Sequence, residues 1–174
     1  MKKIKVSACI ITYNHEKFIE DCLEAAISQK LDFDYEIIIG EDKSTDNTLA
    51  ICKEYERAYP ELIRVIERPE NLGLIGNWMD TLDQCRGDYI AMCEGDDFWT
   101  DFLKLQKQVS FLENNPDYAL SCTKVQTANG DQVGVVNHSK IFGKVTLDSL
   151  LRKNQFATCT AVFPSKYFDR RLSK

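Results

Sequence analysis

The chain has 174 residues, 44% of them hydrophobic and 28% charged, and carries a formal net charge of −5. These proportions suit one globular domain with a sizeable core. They argue against a nucleic-acid partner, because no basic run could track phosphates, and no apolar stretch is long enough to span a bilayer.

In chain order, Lys2-Lys3-Ile4-Lys5 is the one basic cluster, and it reads as a solvated end, with a membrane-surface role as the alternative. No signal-peptide pattern opens the chain. Residues 6–12 (VSACIIT) are apolar and partly β-branched, the pattern of a strand covered on both faces. A helix is expected over His15 to Gln29, with Phe18, Ile19, Cys22, Leu23, Ala26 and Ile27 at helical spacing. Tyr35 to Gly40 reads as a second buried strand. Ser44, Thr45 and Asp46 offer N-cap chemistry for a helix to about Tyr59, which Pro60 stops. Leu62 to Ile66 is a third, shorter strand. Gly76 to Cys85 is helical, Tyr89 to Cys93 is a fourth strand, and a helix from Asp101 to Asn114 ends at Pro116. Further strands are expected over Ala119 to Thr127 and Thr158 to Phe163, with a short helix near Leu147 to Lys153. Strands alternating with amphipathic helices imply an α/β sandwich around a mainly parallel sheet.

Seven cysteines (Cys9, Cys22, Cys52, Cys85, Cys93, Cys122 and Cys159) are scattered, none at CxxC spacing. A zinc site therefore has little support. Most lie in apolar segments and read as small core residues, the usage of a reducing cytoplasm.

Strand one ends in Thr12-Tyr13-Asn14-His15, strand two in Glu41-Asp42-Lys43-Ser44, and strand four in Glu94-Gly95-Asp96-Asp97. In a parallel sheet these ends share one edge, and ligands bind beyond it. Two carboxylates about 6 Å apart repel by roughly 3 kcal/mol at an effective dielectric near 20. Several at one strand end raise one another's pKa or take up a cation, and Mg²⁺ or Mn²⁺ binds such acids together with substrate phosphates. The competing reading is a solvated acidic loop that caps the following helix. No GxGxxG or P-loop follows strand one, which leaves a Rossmann dinucleotide site without support. His15 reads as a helix N-terminal residue, and no nucleophile elbow accompanies it. Phe98 and Trp99 read as core residues anchoring the acidic turn, with sugar stacking by Trp99 as a lesser alternative.

Together these motifs resemble the family 2 glycosyltransferases, inverting enzymes of GT-A fold that use nucleotide-diphosphate sugars. Thr12-Tyr13-Asn14 is similar to the family's TYN, Glu41-Asp42-Lys43-Ser44-Thr45-Asp46 to DDGSTD, Asn71-Leu72-Gly73 to its NxG turn, and Glu94-Gly95-Asp96-Asp97 to the acidic DxDD motif. The resemblance implies a GT-A-like three-layer sandwich. It also implies that Asp42 accepts a hydrogen bond from the base of a UDP-sugar, in a pocket lined by Thr12 and Tyr13, with Asn14 and Glu41 in the same motifs. Asn71, Gly73 and Asn77 would help hold the diphosphate. Glu94 and Asp96 would lie near the ribose and donor sugar. Asp97, with Asp96, would ligate Mn²⁺ or Mg²⁺. Glu41 and Glu94 stand where the family has Asp, and Lys43 where it has glycine.

The implied function is transfer of a sugar to an acceptor hydroxyl with inversion, in polysaccharide or glycoconjugate synthesis. The alternatives are a nucleotide-sugar-binding module without turnover and a nucleotidyltransferase. Residues 4–125 would form the nucleotide-sugar-binding half and residues 126–174 the start of an acceptor side, within one domain incomplete at its C-terminus. The catalytic base is expected beyond Lys174, Asp169 being the one acid near the right place. The implied partners are a nucleotide-diphosphate sugar and a saccharide or lipid-linked acceptor. The implied location is cytoplasmic, with peripheral membrane association as an option.

Overall fold

The computed structural model describes residues 3–129, 132–135, 146, 148 and 156–168. Its centre is strand β1 (Val6–Thr12), every residue of which is buried. A seven-residue apolar strand buried on both faces needs partners on both edges and helices on both sides. Strand β2 (Tyr35–Glu41) lies along one edge and β4 (Tyr89–Glu94) along the other, both parallel to β1. Strand β3 (Ile63–Glu67) adds parallel to β2. The sheet closes with β7 (Val162–Pro164), which runs antiparallel to β4 and gives the order β3-β2-β1-β4-β7. Strands β5 (Gln126–Asn129) and β6 (Gln132–Val135) pair antiparallel with each other.

Helices cover both faces. Helices α1 (Ile19–Ile27), α2 (Thr48–Ala58) and α4 (Lys104–Asn114) pack Leu23, Cys52, Leu105 and Val109 against Val6, Ala8, Ile10, Ile37 and Ile39. Helix α3 (Gly73–Asp83) covers the opposite face, with Trp78 and Leu82 over Cys9, Ile11 and Ile38. Alternate residues of β1 and β2 thus serve alternate cores, as a strand's two-residue period requires. The free thiols of Cys9, Cys22, Cys52, Cys85, Cys93 and Cys159 are buried in this apolar packing, and Cys122 is half-buried.

Four expectations need correction. Helix α1 begins at Ile19, not His15, because the Phe18 and Ile19 N–H groups both bond to the His15 carbonyl and form a turn first. Helix α3 begins three residues before Gly76, which moves Asn77 into the helix interior. The stretch from Ala119 makes a single bridge, Ser121 to Val162, before β5. The segment expected as a strand over Thr158 to Phe163 splits into a 3₁₀ turn, Thr158–Thr160, and β7. The helix expected near Leu147 to Lys153 falls outside the described residues apart from Asp148, as does Asp169. Among the described residues no helix is long and apolar enough to cross a membrane.

Register decides what the sheet presents. Thr12 is level with Glu41, and Ile11 with Glu94, so the carboxyl ends of β2, β1 and β4 finish nearly flush.

Candidate functional site at the carboxyl edge of the sheet

The loops after β1 and β2 are tied to each other. Asn14 donates its N–H to Ser44 Oγ (3.0 Å), and its Oδ1 accepts the Thr45 N–H (2.8 Å). His15 N–H bonds to Thr48 Oγ1 (2.8 Å) and Glu16 N–H to Asp46 Oδ2 (3.1 Å). Asp46 also accepts the Thr48 N–H through Oδ1 (2.9 Å). Asp46 is thus not the N-cap of α2, which is Asn47 without a side-chain cap bond, but its carboxylate ties the first residue of that helix to the turn into α1. These bonds hold its pKa below the usual carboxylate value against the opposing effect of burial.

Two residues here have left-handed backbone, Asn14 at φ 56° and Lys43 at φ 65°. Asparagine tolerates that region, whereas a lysine there costs about 1 kcal/mol relative to glycine. The family's glycine at position 43 thus has a conformational reason, and this chain keeps the conformation with the less suited residue. Glu41 supports it. Its side chain is fully buried and accepts the Ser44 N–H at Oε1 (2.9 Å) and the Lys43 N–H at Oε2 (3.2 Å). The extra methylene of Glu41 is used inside the loop.

Asp42 is only 2% exposed. Its N–H bonds to the Thr12 carbonyl (3.0 Å), and Oδ1 accepts the Leu72 N–H (2.7 Å). Asn71 completes the junction by donating Nδ2 to the Asp42 carbonyl (2.9 Å) and accepting the Gly73 N–H (3.0 Å). Thr12 is buried at the strand end while Tyr13 is 43% exposed beside it, so Thr12, Tyr13, Asn14, Asp42, Asn71 and Gly73 share one rim. Gly73 starts α3 at φ 72°, a conformation suited to glycine.

Asn77 is not on that rim. It is 2% exposed, donates to the Gly40 carbonyl (2.8 Å), and receives Arg68 Nε and Nη2 at 3.4 Å. Arg68 also donates to Thr81 Oγ1 (2.9 Å) and pairs with Asp80. This buried polar network fastens α3 to β2, and Gly40 is what lets it approach.

The acids after β4 separate into two groups. Glu94 and Asp97 come together with Cys159, and their three donor atoms all lie within 4.8 Å of one another. Among the described residues Glu94 Oε2 is buried with no hydrogen-bond partner. Burial first, then the neighbouring charges of Asp97 and Asp96, push the Glu94 carboxyl up to about 7. Asp96, expected beside Asp97 as a metal ligand, is turned away and exposed, with Oδ1 3.9 Å from His15 Nε2. His15 Nδ1 lies 3.3 Å from Thr12 Oγ1, so this histidine links the first strand end to the acidic loop. Gly95 permits the contact, because a Cβ there would sit 2.6 Å from Thr12 Oγ1 and 2.9 Å from His15 Nδ1. An orphaned carboxylate oxygen and two acids within reach of each other suit a divalent cation.

Sequence reasoning missed His15 and Cys159. His15 follows the TYN motif directly, so its position held a signal. Cys159 held none, because it reaches β4 only through the antiparallel return of β7. Its turn is fixed by Trp99, whose indole Nε1 donates to the Cys159 carbonyl (2.8 Å). Trp99 is a core anchor at 5% exposure, as expected, whereas Phe98 is 51% exposed and is not. Lys104 lies over the Trp99 ring, Nζ 4.4 Å from its centroid. A shallow groove of about 570 Å³ lined by Tyr89, Pro116, Tyr118 and Pro164 lies at the amino end of β4, away from the strand-end acids.

Residues 7–172 match the family model for glycosyl transferase family 2. The uncharacterized protein Rv1520 of Mycobacterium tuberculosis is 37% identical over 160 residues, 91% of this chain and 46% of that one. The poly(ribitol-phosphate) beta-glucosyltransferase of Bacillus spizizenii is 30% identical over 186 residues, 91% of this chain and 27% of that one. The chain thus spans about half the length, or less, of these relatives. Among solved structures, S. aureus TarS 1-349 in complex with UDP superposes with a TM-score of 0.72 at 24% identity, covering 98% of this chain and 52% of TarS. The mannosyltransferase PcManGT of Pyrobaculum calidifontis, in complex with GDP-Man and Mn²⁺, gives 0.61 at 23% identity over 71% of this chain and 36% of that one. The sheet order, the two helical layers and these likenesses identify the fold as GT-A. With the match running through nearly all its residues, the chain belongs to glycosyl transferase family 2.

Proposed function

We propose that this protein contributes the donor half of an inverting sugar transfer from a UDP-sugar to an acceptor hydroxyl, in polysaccharide or glycoconjugate synthesis. The observation that carries this reading is the flush carboxyl edge, where Asp42 follows one strand end and the Glu94–Asp97 pair another. The ligands of the two structural neighbours, UDP and GDP-mannose, belong to the same chemical class.

Roles follow from position. Asp42 spends Oδ1 on Leu72, which fixes its carboxylate so that Oδ2 accepts a base N–H. Thr12 and Tyr13 line the same pocket. Asn14 and Glu41 act through the backbone, holding the two loops in the shape that presents Asp42. Asn71 and Gly73 place the start of α3, whose free N–H groups suit a phosphate. Asn77 acts from below, by seating that helix on β2. Asp97 and Glu94 hold Mn²⁺ or Mg²⁺, and Asp96 with His15 faces the sugar side. The bound cation supplies charge neutralisation for the departing nucleotide diphosphate. The general base that takes the acceptor's proton is a carboxylate of the acceptor side, downstream of the donor half at 4–125. A saccharide or lipid-linked acceptor, met at the cytoplasmic face of a membrane, completes the proposal.

Calorimetric titration of UDP with and without Mn²⁺ tests it. Binding requires metal, is lost in Asp97→Ala, and weakens about tenfold to a hundredfold in Asp42→Ala, the range for one hydrogen bond to a charged group. Equal binding without metal, or undiminished binding in Asp97→Ala, overturns the assignment.

A further inference from the structure

We propose that Cys159 is a third protein ligand of the cation site, which makes its donor set carboxylate–carboxylate–thiolate and tilts it toward thiophilic divalent ions over Mg²⁺. The inference rests on the cation binding proposed above and concerns which protein atoms do the binding.

Three observations carry it. First, the Cys159 Sγ and carboxylate oxygens of Glu94 and Asp97 lie within 4.8 Å of one another, and no other such group of three occurs among the described residues. Metal–oxygen bonds of about 2.1 Å and metal–sulfur bonds of about 2.3 Å put donors around a tetrahedral ion about 3.6 Å apart. Side-chain movements of about an ångström bring all three onto a common centre. Second, the thiol is held in place by its backbone. The Cys159 carbonyl accepts from Trp99 Nε1 (2.8 Å), and the Thr160 and Ala161 N–H groups close the turn onto Ala157 and Thr158 at 3.0 Å each. Gln108 Nε2 adds a bond to the Thr160 carbonyl (3.1 Å). Third, among the described residues Glu94 Oε2 is buried without a hydrogen-bond partner, and a cation is the group that would satisfy it.

The chemistry follows from donor softness. Carboxylate and phosphate oxygens suit Mg²⁺ and Mn²⁺, whereas a thiolate favours Zn²⁺ and Co²⁺. Ligation replaces the thiol proton, which passes to solvent, and forms a metal–sulfur bond. Asp96, exposed beside His15, is outside the set.

The probe is Co²⁺, because cobalt–thiolate bonding gives a near-ultraviolet charge-transfer band that oxygen ligands do not. Co²⁺ is titrated into the protein in the presence of UDP and followed by absorbance and by equilibrium dialysis. The wild type shows the band at one equivalent, and Cys159→Ser and Cys159→Ala lose it. Their Zn²⁺ affinity falls at least about tenfold and their Mg²⁺ affinity much less, since losing even an outer-shell partner commonly costs that much. Asp97→Asn also loses the band, and Cys122→Ser keeps it. Cobalt binding without the band, a band that survives in Cys159→Ser, or a band that disappears in Cys122→Ser overturns the inference and leaves the cation site standing. Absence of any Co²⁺ or Mn²⁺ binding overturns both.

Discussion

Lys104 provides the sharpest test of how this core is balanced. The residue is 5% exposed, and its ammonium has no hydrogen-bond partner among the described residues and lies 4.4 Å from the Trp99 ring centroid. Desolvation is the main cause that lowers its pKa from 10.5 to about 8, opposed by the nearby Cys93, Cys159 and Cys122 thiols. A folded-state pKa below the unfolded value means that folding disfavours the charged form. The penalty is complete below the folded pKa and is relieved as pH rises toward the unfolded one. At about 1.4 kcal/mol per unit, the gap corresponds to roughly 3 kcal/mol at pH 7, roughly 2 at pH 9 and under about 0.5 at pH 10.5. The cation–π contact returns about 1–2 kcal/mol of this. Lys104→Met keeps a linear side chain over the indole and removes the charge. It is expected to stabilise the protein by about 1–3 kcal/mol at pH 7, with the gain shrinking to near zero by pH 10.5. Urea unfolding of both proteins at pH 7, 9 and 10.5 measures this. A variant less stable than wild type at pH 7, or a gain that does not change with pH, would refute the reasoning.

Gly40→Ala tests the packing beneath the site. The new Cβ would lie 2.0 Å from Thr81 Oγ1 and 2.4 Å from Asn77 Oδ1, so the buried Arg68 network must move. Overpacking with loss of one buried hydrogen bond predicts a cost of about 3 kcal/mol or more in urea unfolding, and a loss under about 1 kcal/mol would contradict the contact geometry. The Glu94 carboxyl titrates near pH 7 because of burial and its acidic neighbours, and a cation binds its charged form. Mn²⁺ affinity measured by dialysis is therefore expected to rise between pH 6 and 8, and the rise should be shallower in Glu94→Gln. A flat profile in the wild type would count against Glu94 as a ligand.

Much of this architecture was legible because it is written in local pattern. Residues 6–12 and 35–40 are apolar runs of strand length, and the structure has strands at Val6–Thr12 and Tyr35–Glu41. Parallel alternation then brings Asp42 and Glu94 to one edge without further information. The parts that resisted depend on contacts distant in sequence. Residues 119–125 look strand-like, yet after one bridge at Ser121 the neighbouring place beside β4 belongs to β7. Asp96 and Asp97 are adjacent and chemically equal, and only the packing of Gly95 on Thr12 and His15 sends one outward and the other toward Cys159. Asn77 reads as a rim residue until the helix start at Gly73 places it a turn deeper.

The mutual bonding of the loops after β1 and β2 also bears on how this protein can diverge. Surface loops ordinarily absorb insertions readily. Here an added residue between Tyr13 and Glu16 would misalign the Asn14, His15 and Glu16 N–H groups with Ser44, Thr48 and Asp46 together, breaking three bonds between the loops in one event. At about 1 kcal/mol per bond, length change is penalised several times over. Substitutions such as lysine at position 43 are the cheaper route to variety, so the pocket's outline is conserved by its wiring while its chemistry stays open to drift.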